Sequence, residues 1–268
     1  MSRSHLEEIA ELYDSAEGHV GNLIFDGQVH WGYWDERNAD ASLAEGADRL
    51  TQIMIDKTTI EKGQKFCDLG CGWGGPAVAL AKAKGCYIDG ITCSGEQQQN
   101  AVKKAQELGM DDLLNFIHGD ALNMPCKDQT YDGGWFFESI FHMGHREALL
   151  EANRILKLGA TLLITDAYLL STASEDFKEH TSRRVHSRFM PKDIYPGVLE
   201  ETGFEAVEVL DVTQYVMRPL AQKLKDACVA YREEILKLVP EEAIDDWLWG
   251  FEDFCANLGY LLVTARKK

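Results

Sequence analysis

The sequence predicts an α/β fold in which a parallel sheet is flanked by helices. From residue 64 onwards, short apolar runs alternate with helical segments of about 10–15 residues, which is typical of βαβ units. Seven strand candidates can be counted in this way. Hydrophobic residues make up 45% of the 268 residues, enough for one sizeable core. A glycine-rich turn follows the first strand candidate, and it indicates where a ligand binds.

The N-terminal segment, residues 1–60, is expected to be helical. Residues 4–25 carry an apolar face with helical spacing, and Ser42 is predicted to cap a helix over 43–59. Between them, the loop 30–35 is dense in aromatic residues. Its Trp31 and Trp34 fit ordinary packing of this segment on the sheet as well as closure over a ligand.

The sheet core is predicted over residues 61–170, with a terminal strand at 259–268. Strand candidates lie at 64–69, 86–92, 114–118, 132–138, 159–166, 205–213 and 260–266. Helices are predicted near 75–84, 96–108 and 145–157. Gly85, Gly109 and Gly159 lie where these three helices are expected to stop.

Residues 171–258 interrupt the alternation and predict a lid that also contains the sixth strand. Polar clusters occupy 173–198, and 219–258 is largely helical. We expect the lid to cover the carboxyl ends of the strands, where open α/β sheets bind ligands. One or two of its aromatic residues are expected to line the substrate pocket, the candidates being Trp247, Trp249, Phe251 and Phe254.

Composition argues against several partners. The 44 acidic residues outnumber 27 basic ones, and a net charge of −17 disfavours nucleic acid and anionic lipid surfaces. No apolar stretch approaches the roughly 20 residues of a membrane span, and residues 1–8 have no apolar signal region. The seven cysteines are scattered without metal-ligand spacing, which predicts reduced thiols in a cytoplasmic protein and no metal site. A small-molecule substrate is the expected partner.

The stretch 68–75 carries the most specific chemical signal. A short apolar run enters a turn with glycines at alternate positions, and a helix begins directly afterwards. Glycines let the backbone approach a ligand closely, and the helix N-terminus offers unpaired N–H groups. An acid, Asp68, precedes the first glycine.

These segments resemble the class I S-adenosylmethionine-dependent methyltransferases. Residues 68–74 match the family's D-x-G-x-G-x-G loop, and segments 91–97, 119–121 and 138–143 are similar to three further motifs. Within the family, the chain resembles the small-molecule branch of rebeccamycin sugar, sterol and tocopherol methyltransferases, and more distantly the cyclopropane-fatty-acid synthases. The resemblance implies a Rossmann-like, seven-stranded sheet with an antiparallel last strand.

The resemblance also implies S-adenosylmethionine as cofactor and a set of contacts to it. Asp68 would accept from the cofactor ammonium, and Gly70 and Gly72 would let backbone groups reach it. Thr92 and Gln97 would bind the ribose, because the acid that usually ends the second strand is missing. The remaining predicted cofactor contacts are Asp120 and Ala121 at the adenine, Glu138 after the fourth strand, and Tyr33 at the carboxylate.

Methyl transfer from a sulfonium is an in-line displacement that needs a held nucleophile and, for some acceptors, a base. The resemblance places His142 as the candidate base and Asp166 as its partner or a substrate contact. Phe141 replaces the first of two histidines proposed in the rebeccamycin-type enzyme. Two other interpretations stay open: His142 as a packing or helix-capping residue, and Asp166 as a turn carboxylate.

The sequence therefore predicts methyl transfer to a small molecule, with hydroxyl oxygen as the first acceptor. Methylation of a small amine, or of carbon on an isoprenoid or aromatic ring, is the alternative. Two other classes remain: a NAD-dependent oxidoreductase, which Thr92 disfavours, and a protein that binds S-adenosylmethionine without transferring methyl. The sequence predicts no oligomeric state.

Overall fold

A computed structural model of the chain describes residues 4–184 and 186–268, without the side chains of residues 179, 180, 182–184 and 249. Its centre is one seven-stranded sheet. The strands are β1 (Lys65–Leu69), β2 (Tyr87–Thr92), β3 (Leu114–His118), β4 (Tyr131–Phe137), β5 (Leu156–Leu169), β6 (Phe204–Asp211) and β7 (Leu258–Lys267).

The strand order is β3-β2-β1-β4-β5-β7-β6. The first five of these strands pair in parallel, whereas β7 lies antiparallel between β5 and β6. The predicted sheet, including its antiparallel last strand, is confirmed. Since the parallel strands share a direction, the residues after β1, β2 and β4 all emerge at one edge of the sheet.

Helices precede the sheet, cover it and make up most of residues 171–258. They are α1 (His5–Asp14), α2 (Ala16–Ile24), α3 (Leu43–Lys57), α4 (Gly75–Lys84), α5 (Gly95–Glu107), α6 (His145–Ile155), α7 (Glu175–Arg184), α8 (Tyr195–Glu201), α9 (Thr213–Ala230), α10 (Arg232–Ile235) and α11 (Glu241–Asn257). Ser42 caps α3 as predicted, in a reciprocal capping box with Glu45.

Two boundaries differ from the sequence prediction. The single helical segment 4–25 is split at Ser15, whose extended backbone ends α1 while its side chain accepts from the Gly18 N–H and begins α2. The predicted stop at Gly159 was also wrong. Helix α6 ends at Ile155 and runs directly into β5, because Leu156 already pairs with Tyr131 across the sheet.

Both faces of the sheet are buried. In β4, Trp135 and Phe137 belong to the apolar core under α3, α4 and α9, and Phe136 belongs to the core under α6 and α8. With both faces covered, ligands can reach the sheet only at its strand ends. Among the described residues, no helix is long and apolar enough to cross a membrane.

Candidate active site

Two adjoining cavities lie at the carboxyl edge of the parallel strands. The strand-end cavity, about 360 Å³, is walled by residues that follow β1, β2, β3 and β4 and by α1. The helix cavity, about 760 Å³, lies among α1, α2, α7 and α11. Five residues line both cavities and form the junction: Tyr13, Val29, His30, Glu138 and His142.

The glycine turn after β1 shapes the floor of the strand-end cavity. Gly70 has a φ of +91°, and a Cβ there would lie 2.4 Å from the Ser139 Cβ. Gly72 has a φ of +51°, and the nearest atom to its Cβ position would be the Gln97 Nε2 at 3.9 Å. The backbone at Gly72 is therefore open to a ligand, and the turn at Gly70 tolerates no side chain.

The Asp68 carboxyl group is a buried acid that faces the strand-end cavity. It is 1% exposed, and among the described residues neither oxygen is in hydrogen-bond geometry with a partner, although the nearby Trp135 indole N–H favours its ionised form. Burial raises the pKa of Asp68 to about 7. An unpartnered buried carboxylate is costly, so a cation in this cavity would remove an existing penalty.

The other predicted strand-end residues gather around the same cavity. The Thr92 hydroxyl donates to the Gln97 Oε1 at 2.7 Å, which fixes the amide and directs its Nε2 towards Gly72. Asp120 accepts from the Leu122 N–H at 2.8 Å, and Ala121 lines the wall beside it. The structure thus brings together Asp68, Gly70, Gly72, Thr92, Gln97, Asp120, Ala121 and Glu138.

Glu138 holds a strained position at the junction. Its φ is +51°, a conformation that L side chains rarely adopt and that concentrates at functional sites. Its carboxylate accepts from the Tyr260 hydroxyl at 2.6 Å and from the Trp31 N–H at 2.9 Å. Burial nevertheless raises the pKa of Glu138 to about 8, so the group changes charge near neutral pH.

His142 lies at the junction, in the 3-10 turn Ile140–His142 after β4. Its Nε2 is 2.8 Å from the Tyr13 hydroxyl, and its Nδ1 is 3.4 Å from the His186 carbonyl oxygen. Because a carbonyl only accepts, we assign the hydrogen to Nδ1, and Nε2 then accepts from Tyr13. Burial raises the pKa of the Tyr13 phenol, which keeps that hydroxyl protonated.

Asp166 does not reach the junction, contrary to the predicted pairing with His142. Its side chain is buried and accepts from the His145 Nε2 at 2.6 Å and the Tyr195 hydroxyl at 2.9 Å. Alternation along β5 explains this placement, since Asp166 shares a sheet face with Leu162 and Ile164, towards α6 and α8. The structure makes Asp166 a partner of His145, the first residue of α6.

Tyr33 also lies away from both cavities. Its ring stacks on Tyr215 at 5.1 Å, and its N–H donates to the Gly46 carbonyl. The loop 30–35 runs between α3 and α9 at this point, so Tyr33 packs between helices. The geometry does not support its predicted contact with the cofactor carboxylate.

Eight Phe, Tyr and Trp side chains line the helix cavity. Phe254 is one of them, and its ring centroid lies 5.7 Å from that of Trp31 and 6.1 Å from that of Phe251. The predicted lid aromatics Trp247 and Phe251 line the cavity, and the Trp249 side chain lies outside the described residues. Three exposed carboxylates stand among the lining residues, those of Glu17, Asp176 and Asp253. Such a wall suits an acceptor with an apolar body.

Sequence reasoning missed three members of the junction network. The contact of Tyr13 with His142 spans 129 positions. Tyr260 bonds Glu138 across 122 positions. Trp31 donates its backbone N–H to Glu138, and a backbone group cannot be recognised from the residue type. No spacing in the chain signals these three contacts.

Comparison with known proteins identifies the family to which the chain belongs. The model of the family "Methyltransferase domain" matches residues 67–164. The chain is 32% identical to (+)-O-methylkolavelool synthase of Herpetosiphon aurantiacus, over 96% of this chain and 93% of the relative. It is 31% identical to the 27-O-demethylrifamycin SV methyltransferase of Amycolatopsis mediterranei, over 100% and 99%. The chain belongs to the S-adenosylmethionine-dependent methyltransferases.

Solved structures share the fold of this chain. The crystal structure of the [4+2]-cyclase SpnF superposes with a TM-score of 0.82 at 27% identity, covering 97% of this chain and 94% of that one. Further relatives include an N-methyltransferase, and further neighbours of the same fold include a C-methyltransferase. This methyltransferase therefore acts on a small molecule, whereas its acceptor atom varies among relatives. Its membership excludes the NAD-dependent alternative.

The residues at the strand-end cavity fit S-adenosylmethionine. The unpartnered Asp68 carboxyl suits the cofactor ammonium, and the open backbone at Gly72 leaves room for a closely approaching ligand. Thr92, Gln97 and Asp120 supply polar groups along the same wall.

Proposed function

We propose that this methyltransferase methylates a hydroxyl oxygen of an apolar small molecule, with His142 as the base. The observation that carries the proposal is the Tyr13–His142 pair, 2.8 Å apart, where the two cavities meet. Bound S-adenosylmethionine supplies an electrophilic methyl group on its sulfonium. Among the described residues, those of the junction line both cavities, so an acceptor in the helix cavity would meet the methyl group there.

A base at the junction favours oxygen as the acceptor. A neutral amine already presents a lone pair, whereas an alcohol must lose its proton as the new bond forms. The Nε2 of His142 takes that proton, either directly in place of the Tyr13 hydroxyl or through it. The His186 carbonyl stabilises the resulting imidazolium by accepting from Nδ1.

The surroundings of the junction support this assignment. Glu138 lines both cavities, and above its pKa of about 8 its carboxylate favours positive charge nearby. The aromatic wall around Phe254 would hold an apolar acceptor and exclude water. The names of the two relatives compared above both denote methylation of an oxygen.

Amine methylation is a second candidate, and one observation favours it. The exposed carboxylates of Glu17, Asp176 and Asp253 around the helix cavity would attract a cationic acceptor.

The test is transfer of a labelled methyl group from S-adenosylmethionine to matched acceptors. Apolar alcohols, the corresponding amines and isoprenoids would be assayed for labelled product and for S-adenosylhomocysteine. We expect alcohols to be methylated, with kcat reduced about 10²–10⁴-fold in His142→Asn and S-adenosylhomocysteine affinity unchanged.

The control is His19→Asn, because His19 is half-buried, pairs with Glu96 and lines neither cavity. Methylation of amines or carbon with no turnover of alcohols would overturn the proposed acceptor. Full kcat on an alcohol in His142→Asn would overturn the proposed base.

A further inference from the structure

Three potential metal ligands converge beside the junction. One ligand atom from each of His5, Glu8 and His186 lies within 4.8 Å of the other two. His5 and Glu8 are three positions apart in the first turn of α1, so they lie on one helix face. His186 follows α7 on the other side. The proposed methyl transfer assigns no role to any of these three side chains.

We propose that His5, Glu8 and His186 bind a divalent transition-metal ion. Two imidazoles and a carboxylate are a donor set typical of Zn²⁺ or Co²⁺, with water completing the coordination. The expectation of no metal site rested on the cysteines, and cysteines contribute nothing here. The site does not depend on which acceptor atom is methylated.

The tautomer of His5 favours metal binding. Its Nε2 is 2.7 Å from the His142 carbonyl oxygen, which can only accept, so Nε2 carries the hydrogen. The lone pair of neutral His5 is therefore on Nδ1. Histidines that bind metals commonly donate their other ring N–H to such an acceptor, which fixes the ring.

The three ligand atoms must move closer together to bind one ion. The Nδ1 of His186 is already 3.4 Å from the Glu8 Oε2. Ligand atoms around a tetrahedral ion are about 3.3 Å apart, from metal–ligand distances of about 2.0–2.1 Å. The widest separation, up to 4.8 Å, would shorten by about 1.5 Å. His5 is exposed, so rotation of its side chain can supply this movement.

Metal binding at this position would be coupled to the cofactor. Helix α1 covers the strand-end cavity through Ser4, His5, Leu6, Ile9 and Tyr13. The ion would join α1 to residue 186, and its two histidine ligands both contact His142: the His5 Nε2 donates to the His142 carbonyl, and the His186 backbone carbonyl lies at the His142 Nδ1. It would thus hold α1 over the bound cofactor, and linkage requires the cofactor to strengthen metal binding equally.

The first experiment titrates chelator-treated, full-length protein with Co²⁺ by calorimetry and visible absorption. Co²⁺ is the probe because thiolate ligation adds a charge-transfer band, which reports binding at the half-buried Cys93 or Cys126 instead. We expect one ion per chain without that band, and affinity at least about tenfold weaker in His5→Ala and in His186→Ala.

The matched control is His19→Ala, which removes a histidine paired with one glutamate, Glu96, at 3.2 Å. It should bind Co²⁺ as the wild type does. Absence of binding in the wild type, a thiolate band, or unchanged affinity in both His5→Ala and His186→Ala would overturn the site.

The second experiment measures S-adenosylhomocysteine dissociation with and without Co²⁺. Slower dissociation with the ion, several-fold and absent in His186→Ala, is the expected result. Equal rates in the wild type would overturn the coupling. Both readouts are independent of methyl transfer, so their failure is distinguishable from failure of the proposed acceptor chemistry.

Discussion

The strand-end cavity and the helix cavity share a junction but are built differently. The first is formed by turns after parallel strands, where glycines such as Gly70 and Gly72 bring the backbone to a wall of mixed apolar and polar side chains. The second is formed by large side chains from separate helices. The shape of the strand-end cavity therefore depends mainly on backbone conformation, whereas that of the helix cavity depends mainly on side-chain packing.

Sheet register explains the precision of the strand-end cavity. Asp68 pairs with Gly90 of β2 and with Trp135 of β4, so the ends of three strands are aligned. That alignment places Asp68, Thr92 and Glu138 at one edge. The described wall of the helix cavity is not built on paired strands. Contacts between aromatic rings, such as those of Phe254 with Phe189 and Phe251, hold its side chains in position.

The largest expected effect comes from Gly70→Ala. A methyl group there would overlap the Ser139 Cβ, at 2.4 Å, and would force an L residue to a φ of +91°. We expect S-adenosylhomocysteine binding to be lost and the free energy of unfolding to fall by on the order of 3 kcal/mol. Calorimetry and urea denaturation measure the two effects.

The matched control is Gly109→Ala, because Gly109 also has a positive φ, +61°, but has nothing within 4 Å of its Cβ position. It should cost only about 1 kcal/mol and leave cofactor binding intact. Equal losses of stability and cofactor binding in the two variants would mean that backbone strain alone, and not the close contact with Ser139, prevents a side chain at Gly70.

The next effect is pH dependence through Asp68, tested with Asp68→Asn. Its pKa of about 7, against an ordinary 3.8, means that the folded free protein keeps a proton that the unfolded chain has lost. Stability of the free wild type should therefore fall between about pH 4 and 7, by on the order of a few kcal/mol. The Asp68→Asn variant should lack this pH-dependent contribution to stability. Urea denaturation at each pH measures the difference.

Cofactor affinity should change with pH in the opposite direction. An ionised Asp68 is needed to hold the ammonium, so S-adenosylhomocysteine affinity should rise up to about pH 7 and then level off. Asp68→Asn should bind weakly without that rise. An unchanged pH profile in the variant would contradict the role given to this carboxyl.

A smaller effect, confined to the acceptor, is expected from Phe254→Leu. Loss of the ring contacts with Trp31, Phe177 and Phe251 should raise the acceptor KM about tenfold, equivalent to about 1.4 kcal/mol. Affinity for S-adenosylhomocysteine should not change. Tyr231→Leu, at an aromatic residue outside both cavities, is the control. A matching loss of cofactor affinity would show that the two cavities are not separable.

The same contrast explains what the sequence could predict. The α/β alternation and the glycine turn are local signals, so the sheet and the residues along the strand-end cavity could be anticipated. Asp166 was misplaced because the motif gives a strand end but not the sheet face to which a residue points. The Tyr13–His142 contact and the Phe254 cluster join distant segments, so they follow from the folded helices and from no spacing in the chain.

The smallest effect is expected from Tyr33→Phe, and it separates the structure from the sequence motif. The resemblance predicted that Tyr33 contacts the cofactor carboxylate, whereas its ring stacks on Tyr215 and lines neither cavity. Phenylalanine keeps the stacked ring and the backbone bond to Gly46. Affinity for S-adenosylhomocysteine should stay within about twofold of the wild type, a change in binding free energy below about 0.5 kcal/mol.

The contrasting variant is Gln97→Leu, which removes a polar group from the wall of the strand-end cavity and should weaken S-adenosylhomocysteine binding. A clear loss in Tyr33→Phe would mean that the loop 30–35 rearranges around the bound cofactor, and cofactor recognition would then extend beyond the strand ends.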